Sequence, residues 1–147
     1  MEPLDPPLSD DDHVLRLVFK NHWTRRGGRG FKPDAFGLFP EDTDGLSVFL
    51  ERPGLASADA LRATRPTPTN TYVARIPVAV LRNELGLAID YTPAPGDPVP
   101  GHCSLPDLKY QMLDDEATEP VVREHQEKLA RLLNNHPEYV IRRPGEM

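Results

Sequence analysis

Proline is the residue that most constrains how this chain can fold, because 17 of its 147 residues are proline. Average usage is about 5%, so the frequency here is roughly twice the ordinary one. A proline ring fixes φ and removes a backbone N–H, so it ends helices and interrupts central strands. The prolines therefore predict short elements joined by many loops, and they argue against a helical bundle.

Five segments between the prolines have the pattern of β-strands. The first of them is apolar on both faces, which is typical of a strand in the centre of a sheet. The second alternates Leu46, Val48 and Leu50 with Ser47 and Phe49, so one of its faces is expected to be buried. The predicted strands are residues 13–19, 45–51, 71–78, 87–91 and 138–144.

The clearest helix is predicted over residues 119–134. Thr118 is suited to the N-cap position, and Pro120 is suited to the first turn, where its missing N–H costs nothing. The apolar side chains recur at helical spacing, so one stripe of this helix is expected to pack on the sheet. The stripe consists of Val122, Leu129, Leu132 and Leu133.

Two further helices are predicted, a short one capped by Ser57 and one that follows Pro77 and ends at Gly86. Residues 92–106 contain so many prolines and glycines that we expect only loop there. Strands and helices do not strictly alternate. The sequence therefore predicts a single α+β domain over residues 13–147, with one mainly antiparallel or mixed sheet of about five strands and two or three helices.

Charge is distributed unevenly near the N-terminus. Residues 1–12 carry five acids and no base, whereas residues 20–32 carry five bases and no acid. The net charge is −6, and the chain beyond residue 12 has a net charge of about −1. We expect residues 1–12 to be a disordered acidic tail. The alternative is a tail that screens the basic loop until an anionic partner displaces it.

The basic loop contains the segment TRRGGRGF, which resembles a single copy of an RGG box. Arginines in such segments bind phosphates and stack on unpaired bases, and the glycines suit a nest of backbone N–H groups around an anion. Arg25, Arg26 and Arg29, with the neighbouring His22, are therefore candidate anion-binding residues. The alternative is a solvated hairpin tip with no ligand.

The segment VPGHCSLPD, residues 99–107, contains the only cysteine of the chain. Cys103 and His102 are adjacent, and adjacent residues of an extended chain point to opposite faces, so they make a poor nucleophile and base pair. Cys103 is interpreted as a small buried apolar residue. His102 and Ser104 do share a side, so they are candidates to contact a ligand together, although His102 is as well explained by hydrogen bonding within its own turn.

Arg16 interrupts the first, otherwise apolar strand. A buried guanidinium needs a carboxylate, a carbonyl or a ligand phosphate as partner, because burying an unpaired charge is costly. We expect Asp34 or Asp90 to be that partner. A ligand phosphate is the alternative, and it would make Arg16 a binding residue.

Several short motifs resemble a family of small uncharacterised bacterial proteins. They are the strand-borne Arg16, the x-x-A-F turn at 33–36, the L-S-V strand at 46–48, the L-G-L helix end at 85–87 and a proline loop that closes on G-H at 101–102. The resemblance covers roughly residues 13–105 and implies no activity. The first strand also resembles that of ADP-ribosyltransferase-like toxins, whose catalytic glutamate pattern is not identifiable in this sequence.

Three classes of function fit these features, in the following order. The first is a small binding or accessory protein that acts through the 22–36 and 99–106 loops on a macromolecular or anionic partner. The second is an enzyme acting on a nucleotide or NAD-like substrate, with Arg16, His22 and His102 converging on a cleft. The third is a nucleic-acid-binding protein, which the nearly neutral body of the chain disfavours.

Location and cofactors are constrained by what the sequence lacks. The first residues have no basic and apolar pattern of a signal peptide, and no stretch reaches the ~18–20 apolar residues of a membrane span. A single cysteine cannot form an internal disulfide, which fits a reducing compartment. We therefore expect a cytoplasmic protein. The five histidines lack metal-like spacing, so we expect no metal and no cofactor.

Overall fold

The structure is a computed structural model, and it describes residues 4, 6–19, 31–64 and 71–141. In this part of the chain, six strands form one sheet in which each neighbouring pair is antiparallel. Two α-helices, a π-helical turn and three 3-10 turns accompany the sheet. The predicted α+β class is confirmed, with six strands where about five were expected.

The strands are β1 (His13–Phe19), β2 (Leu46–Glu51), β3 (Thr71–Pro77), β4 (Asp90–Tyr91), β5 (His102–Leu105) and β6 (Val140–Ile141). They lie in the order β4-β5-β2-β1-β3-β6 across the sheet. The α-helices are α1 (Ala58–Arg62) and α2 (Glu119–Asn135), and the π-helical turn is Val80–Glu84. The Ser57 hydroxyl caps α1 by accepting from the Ala60 N–H, as the sequence predicts.

β1 lies in the middle of the sheet, as expected for a strand that is apolar on both faces. It pairs with β3 along its whole length, whereas its register with β2 ends at Leu15 opposite Phe49. The next residue, Arg16, extends its guanidinium to the Ser47 carbonyl of β2, with an Nη1–O distance of 2.8 Å. A side chain, rather than the backbone of β1, therefore joins the two strands where they part.

The sheet buries apolar side chains in two clusters. In the larger cluster, Leu129 of α2 packs with Val14 of β1 and Val48 of β2. The smaller cluster is centred on Leu15 and Leu61. The predicted apolar stripe of the long helix is buried at every position, which confirms that α2 packs on the rest of the domain.

β5 corrects the prediction that residues 92–106 form only loop. Gly101, just before β5, has a φ of +101°, which side-chain-bearing residues rarely adopt. A Cβ atom there would also lie 2.9 Å from the Leu50 carbonyl oxygen. After this turn the chain runs alongside β2, and Ser104 comes to lie opposite Ser47. Because this segment is rich in proline, its pattern did not predict the four-residue strand β5.

β4 has two residues and is shorter than the strand predicted at 87–91. β6 takes up residues 140–141 of the strand predicted at 138–144, and residues 142–144 lie outside the described residues. A 3-10 turn, Pro137–Tyr139, occupies the start of the second segment. The helix predicted after Pro77 is mostly a π-helical turn. It ends near Gly86, whose φ of +65° is the left-handed conformation expected there.

Residues 6–12 contact the sheet domain, and the disorder expected for residues 1–12 stays a prediction. Arg52 donates from Nε to Asp12 Oδ1 at 2.9 Å and from Nη2 to Asp12 Oδ2 at 2.7 Å. The same guanidinium donates to the Pro6 carbonyl at 2.6 Å, and Leu8 packs against the larger cluster. The acids near the N-terminus thus include partners for arginines of the sheet domain.

Among the helices that these ranges contain, none combines the length and the apolar character needed to cross a lipid bilayer.

Candidate functional site

A cleft of about 330 Å³ lies where β1 and β2 part. Its walls include residues of β1, β2 and β5, together with the segment that leads into β2 and the loop that leads into β5. The polar side chains that line it are Arg16, Glu41, Asp42, Ser47, Thr64, Asp97 and His102. A concave site with several convergent polar groups is the usual form of a small-molecule site.

Arg16 holds three backbone carbonyl groups together at one end of the cleft. Its Nε donates to Ala35 at 2.9 Å, its Nη1 to Ser47 at 2.8 Å and its Nη2 to Gly37 at 3.3 Å. Burial lowers the pKa of Arg16 to about 10, and the charge of Asp42 opposes that shift. Arg16 is therefore still a cation at neutral pH.

The sequence suggested a carboxylate, a carbonyl or a ligand phosphate as the partner of Arg16, with Asp34 or Asp90 as the expected structural partner. The partners found are carbonyl groups, and the side chain of Asp34 lies outside the described part of the chain. Because backbone carbonyls take three of the five guanidinium N–H groups, two N–H groups are left over from these bonds. Arg16 is thus first a structural link between β1 and β2, and it also contributes a positive charge to the cleft wall.

His102 makes hydrogen bonds through both ring nitrogens. Nδ1 lies 2.8 Å from the Thr92 carbonyl oxygen, and Nε2 lies 3.0 Å from the Ser47 hydroxyl oxygen. A carbonyl oxygen can only accept, so Nδ1 carries a proton. In the neutral imidazole, Nε2 then accepts from the Ser47 hydroxyl. The ring edge also contacts Phe49, with 5.4 Å between ring centroids.

Asp42 contacts Ser47, and Ser104 contacts Thr92, the residue whose carbonyl group binds His102. Asp42 Oδ1 lies 3.3 Å from the Ser47 hydroxyl oxygen, and Asp42 Oδ2 accepts from the Phe39 backbone N–H at 2.7 Å. Ser104 is only 1% exposed, and its hydroxyl oxygen lies 2.8 Å from the hydroxyl oxygen of Thr92. Ser104 thus supports the loop that orients His102, rather than lining the cleft.

The charge of the cleft is negative in balance. Its described walls carry the carboxylates of Glu41, Asp42 and Asp97 against the single guanidinium of Arg16. Apolar surface completes the walls, chiefly the ring of Phe39, which is 55% exposed, and residues Leu17, Phe49 and Leu61. The cleft thus combines an acidic lining with aromatic and aliphatic surface.

Of the candidate residues predicted from the sequence, the structure brings Arg16 and His102 together in the cleft and places Ser104 directly behind His102. The other four, His22, Arg25, Arg26 and Arg29, lie outside the described residues. Anion binding by these four residues stays a prediction.

Cys103 lies on the opposite face of β5 from His102 and has no exposed surface. Its Sγ is 3.6 Å from the Gly101 carbonyl oxygen. Burial raises the pKa of the Cys103 thiol to about 12, so the thiolate is scarce at neutral pH. The interpretation of Cys103 as a buried apolar residue, and not as a nucleophile, agrees with this environment.

Sequence reasoning missed Ser47, Asp42 and Asp97. The alternation in residues 46–50 did place Ser47 and Phe49 on one face of their strand. What brings them to His102 is the register of β2 with β5, in which Phe49 lies opposite His102. That register joins segments more than fifty residues apart, and β5 itself was not predicted.

Comparisons with protein-family models, with curated proteins and with solved structures found no match for this chain. The family resemblance seen in the sequence therefore stays a prediction. Within the described residues, no group of three or more His, Cys, Asp or Glu side chains is placed to hold a metal ion.

Proposed function

We propose that this protein binds a small organic molecule in the cleft between β1, β2 and β5. The observation that carries the proposal is the convergence of Arg16, Ser47 and His102 on one concave site. This is a binding function, as the sequence suggested first. The proposed ligand differs from the anionic partner considered there, because the cleft walls favour a cationic or neutral molecule with an apolar group.

The charge balance supports a cation over an anion. Three carboxylates face one guanidinium across the described walls, and that guanidinium already donates to three carbonyl groups. A phosphate would meet repulsion from the carboxylates, whereas an ammonium group would be attracted to them. The same balance weighs against the nucleotide or NAD-like substrate that was considered from the sequence.

The aromatic rings in the cleft walls favour a ligand that carries an apolar group beside its cationic group. Phe39 lines the cleft and is one of the few large apolar side chains that are exposed within the described residues. Phe49 offers a second ring, held in place by its edge contact with His102. Aromatic faces also attract ammonium groups, so the two features of the ligand reinforce each other.

Three probes of one size and different charge test this proposal. They are benzylamine, which is a cation at neutral pH, benzyl alcohol, which is neutral, and benzoate, which is an anion. We expect benzylamine to bind most tightly and benzoate least tightly, measured by ligand-observed NMR titration of the full chain at one pH and ionic strength. If benzoate binds as tightly as benzylamine, Arg16 dominates the cleft and the proposed ligand class is wrong.

A matched pair of variants locates the binding. Glu41 lines the cleft and is exposed, so Glu41→Gln should leave the fold intact and weaken benzylamine binding by about two- to fivefold, the effect of losing one exposed ion pair. Glu116, which is exposed and is not part of the cleft walls, provides the control Glu116→Gln. Equal loss in both variants would show that benzylamine binds through overall charge and not in the cleft.

The basic segment 20–32 supports a second candidate, an anionic macromolecular partner, because it carries five bases and no acid. The variant with Arg25, Arg26 and Arg29 all changed to alanine should lose retention on a heparin matrix, and the retention of the unaltered chain should fall with salt. Its melting temperature should stay nearly unchanged. Co-elution of the variant with the unaltered chain would remove this candidate.

A further inference from the structure

We propose that Ser47 and His102 form a nucleophile and general-base pair that transfers the acyl group of a small ester bound in the cleft. This inference rests on the proposed function, since the ester must enter the same cleft. It goes further, because it assigns a reaction to the protein. The Ser47 hydroxyl oxygen and His102 Nε2 are 3.0 Å apart, which is within the range for direct proton transfer.

The orientation of the imidazole is fixed by its second nitrogen. Nδ1 donates to the Thr92 carbonyl at 2.8 Å, so the lone pair of the neutral ring is on Nε2 and faces Ser47. A carboxylate has this orienting role in many hydrolases, and a backbone carbonyl can supply it as well. Ser47 Oγ is also 3.3 Å from Asp42 Oδ1, to which it donates when Nε2 carries a proton. In the neutral ring with its proton on Nδ1, the hydroxyl donates to Nε2 at 3.0 Å, because two facing lone pairs at that distance would repel each other.

The Ser47–His102 pair differs from an ordinary buried hydrogen bond because both residues line the cleft. Ser47 and His102 both line the cleft, whereas Ser104 is almost completely buried and points its hydroxyl at Thr92. A molecule in the cleft can therefore reach the Ser47 hydroxyl but not that of Ser104.

The reaction proceeds in two steps. Ser47 Oγ attacks the ester carbonyl carbon as its proton moves to His102 Nε2, and the carbonyl oxygen becomes an oxyanion. The oxyanion collapses, the bond to the alcohol oxygen breaks, and the alcohol leaves with the proton from Nε2, which gives acyl-Ser47. Water then attacks this ester, His102 takes and returns one proton in the same way, and the products are a carboxylic acid, an alcohol and free Ser47.

Arg16 supplies positive charge for the oxyanion. Its Nη1 is already anchored at the Ser47 carbonyl, and two N–H groups remain after its three bonds to carbonyl groups. A guanidinium held in place on the wall of a cleft stabilises developing negative charge without having to reorganise. Arg16 therefore has a role in this reaction that does not require an anionic ligand.

Covalent labelling of the full chain with an alkyl fluorophosphonate tests the inference. Ser47 Oγ would form a bond to phosphorus, fluoride would leave, and the proton would move to His102. We expect one adduct per chain, mapped to Ser47 by peptide mass spectrometry. An adduct on a different residue, or none on the folded chain after prolonged incubation, would overturn the inference without using any variant.

Variants then test the role of each group. His102→Gln should slow labelling by at least about 100-fold, the lower range for loss of a general base. Ser57→Ala, at an exposed residue outside the cleft walls, should label like the unaltered chain. Unchanged labelling in a folded His102→Gln chain would show that His102 is not the base and would also overturn the inference.

Benzylamine distinguishes this inference from the proposed function. If the binding function and the acyl-transfer reaction are both right, benzylamine slows the labelling of Ser47 and benzoate does not. If benzylamine binds in the cleft and Ser47 is never labelled, the binding function stands and the reaction is wrong. If Ser47 is labelled and benzylamine neither binds nor protects, the reaction stands and the cationic ligand class is wrong.

Discussion

The Arg16 guanidinium donates to the Ser47 carbonyl oxygen at 2.8 Å, across the point where β1 and β2 stop pairing. This one contact connects the fold to the candidate site. It holds the two strands together where the backbone ladder has ended, and it places a cation at the backbone of Ser47 on the cleft wall. The gap that the side chain bridges is also the gap that opens the cleft.

Arg16→Met should therefore destabilise the domain strongly. The change leaves three partly buried carbonyl groups without their donor, and we expect a loss of about 2–4 kcal/mol in the free energy of unfolding. Urea denaturation measures it. Arg75→Met on the adjacent strand is the matched control, because its ion pair with Glu51 is partly exposed to solvent and is worth about 0.2–1 kcal/mol. Equal losses in the two variants would show that Arg16 is not a structural link.

Removal of residues 1–12 should lower stability, although the sequence predicts a disordered tail there. A chain that starts at His13 loses the packing of Leu8 and the Asp12 partner of Arg52. We expect a loss of about 1–3 kcal/mol, measured as the change in urea midpoint. A chain that starts at Leu4 keeps these contacts and should match the full chain. If the chain that starts at His13 also matches, these contacts do not stabilise the domain.

Asp12 should make stability depend on pH in the acid range. Hydrogen bonds from Arg52 are the largest cause of the lowered pKa of Asp12. The folded state thus binds a proton at this carboxyl less readily than the unfolded state. Its contribution to stability is complete above the ordinary carboxyl pKa of 3.8, and it is lost as the pH falls through the lower folded value.

Asp12→Asn tests this dependence. At neutral pH we expect the variant to be less stable by about 1–2 kcal/mol, because an amide cannot replace the charged hydrogen bonds to Arg52. The difference in stability between the variant and the unaltered chain should shrink as the pH falls below the ordinary carboxyl pKa of 3.8. A difference that stays constant down to the acid unfolding transition would show that Asp12 is not the titrating group.

Cys103 should be inert in the folded protein. With a pKa of about 12, roughly one thiol in 10⁴ is ionised at pH 8, and the side chain has no exposed surface. We expect no iodoacetamide adduct by intact mass under native conditions and complete modification in urea. Rapid modification of the native chain would mean that β5 opens readily and that the wall carrying His102 is not rigid.

The fold could be predicted from the sequence wherever local pattern determines the structure. The apolar faces of 13–19 placed β1 at the centre of the sheet, and the stripe of α2 gave its bounds within one residue. β5 could not be predicted in this way, because Gly101 and long-range pairing with β2 turn a proline-rich segment into a strand. Local pattern carries no information about such pairing.

The candidate site, too, could be predicted only in part, because local sequence pattern does not show which distant residues come together. Arg16 and His102 were recognised as residues in need of partners, and both line the cleft. Their actual partners are mostly backbone carbonyl groups, at Ala35, Gly37 and Thr92, and carbonyl groups are present in every residue. No residue type in the sequence marks them. Ser47 was placed on a strand face but could not be connected to His102 without the register of β2 and β5.

The measurement that tests the central claim most directly is an NMR experiment that detects contacts between benzylamine and the full chain. We expect intermolecular nuclear Overhauser effects from the ring protons of benzylamine to Phe49 and to the imidazole protons of His102, since both side chains line the cleft. Contacts that lie only elsewhere, for example at the exposed Val121 of α2, would contradict the assignment of this cleft as the binding site.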